Sequence, residues 1–229
     1  TGWVGVAPNV QLVALPFGGS TFEPFFEYGS RIRADIVVIS AGAYLDPSDS
    51  ASIEEYQNEF KDWNFRAQSV MDSNILYVFS AGNERVNLDL ATQPDSGALF
   101  RIPQNLTPKR ALIVGSSGIK DKFSDWWWGC SESVWADPVL NKKFCVQESS
   151  SVGDYPRTGS NRGASTVDLC APGESIFTGS YQVEYNCLIQ MRANGTSFSA
   201  PIAAGVAAVL ISSAPERYRN NPELIIQRL

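Results

Sequence analysis

The chain contains no histidine among its 229 residues, and this absence limits the catalytic and metal-binding sites that it can form. Histidine is the side chain that most often moves protons near neutral pH, and it is the commonest metal ligand. The four cysteines also lack the C-x-x-C spacing that is typical of zinc sites. A zinc site of the usual kind, or an acid–base pair built on histidine, is therefore excluded within these residues.

Other features are missing as well. The chain has fewer basic residues than acidic ones, 18 Lys and Arg against 24 Asp and Glu. It contains no stripe of basic residues that could bind phosphates. No apolar run reaches the ~18 residues of a membrane span, since the longest, near residues 200–211, is interrupted by glycine. Neither a P-loop nor a G-x-G-x-x-G follows the first predicted strand. We therefore expect neither nucleic acid nor membrane as a partner.

What is present is typical of a soluble globular protein. Hydrophobic residues make up 44% of the chain and charged residues 18%. The length suits one α/β domain over residues 1–229. The chain begins at Thr1, without a methionine or a signal peptide, so we expect a processed product or a fragment.

The four cysteines are an even number without metal spacing, which favours two disulfides and a secreted or otherwise extracytoplasmic protein. Three pairings are possible, and the shorter loops favour Cys130–Cys145 and Cys170–Cys187. The alternative is four free thiols, of which Cys170 and Cys187 would be small buried hydrophobic residues.

Short β-branched runs alternate with helical patterns along the chain, which predicts a mostly parallel sheet covered by helices. Strands are predicted at residues 10–15, 35–40, 74–79, 110–115, 165–170 and 175–180. Helices are predicted at 21–34 and 53–71, from Phe198 onward, and from Glu223 after an Asn221–Pro222 cap.

Residues 116–162 interrupt this alternation. They include Trp126–Trp128 and two cysteines, and they show no clear period. Irregular segments of more than ~12–15 residues are uncommon in compact domains and tend to be functional or cross-linked. We expect a cysteine- and tryptophan-rich insertion here, with tryptophans that pack it onto the body of the domain or contact a bound ligand.

Ser197 opens an almost wholly apolar helix, in the stretch NGTSFSAPIAAGVAAVLI. The first backbone N–H groups of a helix have no intrahelical partner and carry partial positive charge, so they stabilise an oxygen that becomes anionic. The alternative is that Thr196 or Ser197 merely caps the helix. The nucleophile motif G-x-S-x-G does not apply, because residue 199 is serine.

Asn83 lies in SAGNE, just after a predicted buried strand. Ligands of open α/β sheets bind beyond the carboxyl ends of the strands, so this amide is placed to donate a hydrogen bond to one. The alternative is a simple turn, which Gly-Asn also favours.

Seven segments, taken in order, resemble the subtilisin-like serine proteases (subtilases). The serine motif is NGTSFSAPIAAGVAAVLI; the other segments are GVAPNVQLVALPF, DIVVISAGA, LYVFSAGNE, ALIVGSSG, GSNRG and VDLCAPGESI. The resemblance spans residues 5–211. It implies a three-layer α/β fold with a mostly parallel central sheet, and a serine endopeptidase acting through an acyl-enzyme.

By resemblance, Ser197 is the nucleophile, and Asn83 donates its side-chain amide to the oxyanion beside the Ser197 N–H. Ser40, Ala41 and Gly42 would bind an extended polypeptide substrate. Ser80, Ala81 and Gly82 would line the pocket for the residue before the scissile bond. Calcium is common in the family, but no ligand set is identifiable here, so no cofactor or metal is predicted. Ile202 stands where many relatives have a histidine that is not part of the triad.

The resemblance also exposes what is missing, because the family activates its serine with a histidine held by an aspartate. Both of those motifs precede the segment that begins at Gly5, so we expect an N-terminally truncated domain whose Asp and His lie upstream of Thr1 or come from another chain. The isolated chain is then expected to be inactive. The alternative is a catalytically inactive subtilase-like module that binds peptides or partners.

Overall fold

A computed structural model of the chain describes residues 5–15, 23–40, 67–83, 88–89, 106–117, 134–137, 142–145, 160–174, 176–182 and 187–229. The strands are β1 (Ile36–Ile39), β2 (Leu76–Ser80), β3 (Ala111–Ser117), β4 (Val134–Asp137), β5 (Lys142–Cys145), β6 (Leu169–Pro172), β7 (Ile176–Gln182) and β8 (Cys187–Ala193). The helices are α1 (Glu23–Arg31), α2 (Thr196–Ser213), α3 (Pro215–Tyr218) and α4 (Pro222–Arg228).

The centre of the fold is a four-stranded parallel sheet in the order β1-β2-β3-β6. Three of its strands were predicted as apolar runs, and they have that composition because strands of a parallel sheet are buried on both faces. Residues Leu76–Phe79 and Ala111–Val114 are accordingly almost inaccessible to solvent. The predicted α/β class with a parallel sheet is confirmed.

Two cores lie on opposite faces of this sheet, which makes three layers. On one face, Phe26 of α1 packs edge-on against Tyr77 with ring centroids 5.2 Å apart. On the other face, the alternate residues Leu76 and Val78 pack against α2 and α4. Because successive side chains of a strand point to opposite faces of the sheet, each strand contributes residues to both cores.

Helix α2 contacts the sheet through small residues: Ala200, Ala203, Ala204 and Ala207 are buried, whereas Val206 and Val209 are exposed. Its 18 residues are long and apolar enough for a membrane span by length and composition alone. The buried alanine face, packed on Val78 and Val114, is that of a core helix. Asn221 caps α4 as predicted, because its side chain accepts a hydrogen bond from the Leu224 N–H at 3.2 Å.

Two sequence predictions about strands were wrong. Residues 10–15 form no strand, and Leu12 is 86% exposed; an apolar run becomes a strand only when a neighbouring strand supplies its hydrogen bonds. The insertion was expected to be irregular, yet it contains an antiparallel hairpin of β4 and β5. Strand β8, which pairs with β7, was not predicted.

Other predictions fall on residues outside the description. Cys170 is half-buried in β6, next to Gly115 of β3. The side chains of Cys130, Cys145 and Cys187 are not described, so both disulfide pairings stay predictions. Trp126–Trp128 also lie outside the described residues, as does most of the helix predicted at 53–71, of which 67–70 are helical.

Candidate active site

The carboxyl ends of β1, β2, β3 and β6 meet the beginning of α2. Ser40 follows β1, the segment Ala81–Asn83 follows β2, and Gly173 follows β6. This edge of the sheet is where open α/β folds bind ligands. Three separate segments therefore converge on the first turn of one helix.

Asn83 and Thr196 form the centre of this edge. The Thr196 backbone N–H donates to Asn83 Oδ1 at 2.9 Å, and the Thr196 hydroxyl donates to the same oxygen at 3.0 Å. The hydroxyl in turn accepts from the Gly82 N–H at 3.1 Å. Thr196 is fully buried, so this network is shielded from competing water.

This network fixes the orientation of the Asn83 amide. A backbone N–H can only donate, so the atom of Asn83 that faces it must be the oxygen. The Nδ2 donor consequently lies on the other branch of the amide. A Cβ added at Gly195 would lie 3.4 Å from Nδ2 and 3.5 Å from Oδ1, so the whole amide group is close to Gly195. Gly195 has φ 141°, a conformation that side chains rarely permit.

Ser197 is half-buried in the first turn of α2, and its Oγ donates to the Ser40 carbonyl at 3.4 Å, a long contact. The alternative that Thr196 or Ser197 caps the helix is wrong: Gly195 is the N-cap residue, with no side-chain capping bond. Asn83 instead accepts from the first turn across the site. The Ser197 N–H belongs to that turn and has no intrahelical acceptor.

Gly173 supports the segment that leads into α2. Its carbonyl accepts from the Gly195 N–H at 2.7 Å, and its own N–H donates to the Ser117 carbonyl at 3.2 Å. A Cβ at this position would lie 2.1 Å from Ser199 Oγ and 2.8 Å from the Gly195 carbonyl oxygen. Only glycine fits there, because both neighbours are fixed in the buried start of the helix.

The structure brings six of the eight predicted site residues to this edge: Ser40, Ser80, Ala81, Gly82, Asn83 and Ser197. Ala41 and Gly42 lie outside the described residues. Sequence reasoning missed Thr196 as the residue that orients Asn83, and it missed Gly173. Both act through atoms distant in the chain, so no local pattern marked them; the only signal was their place in segments that adjoin the site.

No cluster of three or more potential metal-ligating side chains occurs in the described part of the chain. The prediction of no cofactor, with calcium suggested only by the family resemblance, stays a prediction. Lys109 pairs with Asp168 just before β6. It lies at the opposite edge of the sheet from the serine.

The family model of the subtilases matches residues 1–227, nearly the whole chain. The chain belongs to the subtilase family. The subtilase resembles tripeptidyl-peptidase 2 of Drosophila melanogaster, with 23% identity over 232 residues; the match covers 93% of this chain but 13% of that protein.

A solved structure agrees on the fold. A lanthipeptide protease superposes with a TM-score of 0.51 at 19% identity, covering 90% of this chain and 57% of that one. The prenylagaramide maturation protease PagA has a TM-score of 0.47 at 18% identity, covering 91% and 55%. The predicted subtilisin-like architecture is confirmed, and the chain, a domain of the subtilase family, spans only part of these relatives' length.

Proposed function

We propose that this domain is a serine endopeptidase that cleaves extended polypeptides through an acyl-enzyme on Ser197. The observation that carries the proposal is the position of Asn83: its oxygen accepts two hydrogen bonds from Thr196, the residue before Ser197, which leaves Nδ2 as the donor of the amide. A pre-oriented amide donor beside a helix N-terminus suits an oxygen that becomes negatively charged in the transition state.

In the proposed reaction, Ser197 Oγ attacks the carbonyl carbon of the scissile peptide and gives up its proton to a base. The carbonyl oxygen becomes an oxyanion, held by Asn83 Nδ2 and the Ser197 N–H. Collapse of this intermediate expels the amine, which takes the proton, and leaves an ester on Ser197 that water hydrolyses. Ser40 would offer backbone groups to the substrate, which binds as an added strand, and Ser80–Gly82 would line the pocket for the residue before the scissile bond.

The base is proposed to come from polypeptide outside these 229 residues, because the chain has no histidine. The outer side of β1 supports this origin of the base. Among the described strands β1 has no neighbour on its outer side, and Val38 is 41% exposed although it lies in a parallel sheet. Ser40, the acceptor of the Ser197 hydroxyl, directly follows β1, so a segment added there would end beside the nucleophile.

The lack of histidine also favours a second candidate, an inactive subtilase-like module that binds extended peptides. In that case the segment beside β1 would carry no base, and the site would hold peptides without cleaving them. The same residues would be needed for binding, since Ser40 would pair with the peptide backbone and Ser80–Gly82 would line the pocket in either case.

The test is peptide hydrolysis by the complete natural protein, its Ser197→Ala variant, and the isolated 229 residues. The complete protein should cleave peptides, and Ser197→Ala should lower kcat by about 10⁶, the size found for nucleophile removal in a subtilisin of the same family. The isolated residues should be inactive. Peptide binding without cleavage by the complete protein would favour the second candidate.

A further inference from the structure

We propose that Asn161 is a positioning residue for the oxyanion donor: it fixes the two peptide groups that precede Asn83, and so determines where the Asn83 amide lies. The inference rests on the proposed protease function. It concerns a residue that touches neither substrate nor nucleophile in that mechanism and acts only through the backbone.

Two hydrogen bonds carry the inference. Asn161 Nδ2 donates to the Ala81 carbonyl at 2.8 Å, and the Asn161 backbone N–H donates to the Gly82 carbonyl at 2.9 Å. Asn161 is only 1% exposed, so water does not replace these bonds readily. One buried residue therefore holds two consecutive carbonyl groups immediately before Asn83.

The peptide group between Ala81 and Gly82 is held at both ends. Its carbonyl accepts from Asn161, and its N–H donates to Thr196 Oγ1 at 3.1 Å. Gly82 has φ 95°, in a region where glycine moves with little steric resistance. Without outside restraint this peptide plane could rotate, so the pair of bonds supplies the rigidity that the residue itself lacks.

Asn161 is in turn anchored to the sheet. Ser160 Oγ donates to the Asn161 carbonyl at 2.9 Å and accepts from the Ser116 N–H in β3 at 2.9 Å. A continuous chain of hydrogen bonds thus runs from β3 through Asn161 to the Ala81–Gly82 backbone. A misplacement of about 1 Å at a catalytic group can cost ~10²-fold in rate, so loosening this chain should be visible in turnover.

The first test is Asn161→Asp in the complete protein, which keeps the shape of the side chain but replaces the donor with an acceptor. We expect kcat for a peptide amide substrate to fall by about 10-fold or more while KM changes little, since the lost alignment matters chiefly in the transition state. Asn161→Ala, a neutral change, should act in the same direction. Asn221→Asp, the same chemical change at the cap of α4, should leave kcat unaltered.

A double-mutant cycle separates positioning from a direct effect of the new charge. If Asn161 acts through Asn83, the loss of kcat caused by Asn161→Asp should largely vanish in an Asn83→Ala background. A loss that persists there at full size would overturn the proposal, because it would show that Asn161 does not act through Asn83.

Hydrogen exchange gives a readout that needs no activity. In Asn161→Asp or Asn161→Ala, the Gly82 amide should exchange faster than in the wild type, while amides in α4 keep their rates. Failure of the wild type to cleave any peptide would count against the proposed function alone, and the exchange rates would still decide the role of Asn161. An unchanged exchange rate of the Gly82 amide in a folded variant would overturn the proposed role of Asn161.

Discussion

The two edges of the parallel sheet are built differently. At the carboxyl edge, the contacts around α2 are made by amides and hydroxyls of small residues: Gly82, Asn83, Asn161 and Thr196. At the amino edge, charged residues directly precede three of the strands: Asp35 before β1, Arg110 before β3 and Asp168 before β6. Three of the four strands therefore begin beside charged residues, two of them in ion pairs, whereas the contacts named at the carboxyl edge join neutral groups.

The amino edge is organised around Arg110, which is 1% exposed. Its guanidinium donates to the carbonyls of Met71 at 3.1 Å, Pro108 at 3.0 Å and Gln68 at 3.0 Å. Burial lowers the pKa of Arg110, and the nearby Tyr77 and Asp72 oppose that shift. This side chain ties the end of the helix at residues 67–70 to the start of β3, a contact that serves stability.

The difference suggests a division of labour, with stability at one edge and chemistry at the other. A fixed charge beside an oxyanion hole would change the field in which the transition state forms, whereas neutral amides stabilise the oxyanion without needing a counterion. Variants at each edge test this division, since their effects should separate into turnover and unfolding free energy.

The largest effect is expected from Asn83→Ala at the carboxyl edge. It removes the proposed donor, and in a subtilisin of this family the corresponding loss is ~10²–10³ in kcat, or roughly 2.7–4 kcal/mol. Steady-state kinetics of the complete protein would show a lower kcat with little change in KM. Asn221→Ala is the matched control: it should cost about 1 kcal/mol of stability through the lost cap and leave kcat unchanged.

The next effect is expected from Arg110→Met at the amino edge. Three carbonyls lose their donor, one in a buried bond and two in half-buried bonds, and at about 1 kcal/mol for each the unfolding free energy should fall by roughly 2–3 kcal/mol. Urea unfolding would measure this. Arg219→Met, which breaks only the exposed 3.0 Å pair with Asp35, should cost less than about 1 kcal/mol. Equal losses in the two variants, or a drop in kcat of the folded Arg110 variant, would contradict the division between edges.

The sequence predicted the strands of the sheet well because their composition is a direct consequence of burial on both faces, as in Leu76–Phe79. It failed at residues 10–15, where the same apolar composition meets no partner strand among the described elements. Pairing is a property of two segments, so a single run cannot show it.

The residues of the site also fall into those that the sequence predicted and those that it could not. Ser197 and Asn83 stand in recognisable motifs, and the structure brings both to the start of α2. Thr196 and Asn161 owe their importance to bonds with Gly82 and Ala81, which lie 114 and 80 residues away in the chain. Such roles depend on which atoms meet after folding, and composition or spacing does not encode them visibly.

The smallest predicted effect is a pH dependence at the amino edge, carried by Tyr77. Burial raises the pKa of Tyr77 from 10.0 to about 12, although the hydrogen bond from the Asp72 N–H opposes the shift. The unfolded chain therefore ionises first. The stabilisation that follows from this difference in pKa between the folded and the unfolded chain is present below pH 10 and is lost as the pH rises through 12. Between pH 9 and 11 the wild type should lose about 1 kcal/mol relative to Tyr77→Phe, measured as the pH dependence of the difference in unfolding free energy. A difference that stays constant over this range would show that the buried phenol does not titrate as its surroundings dictate.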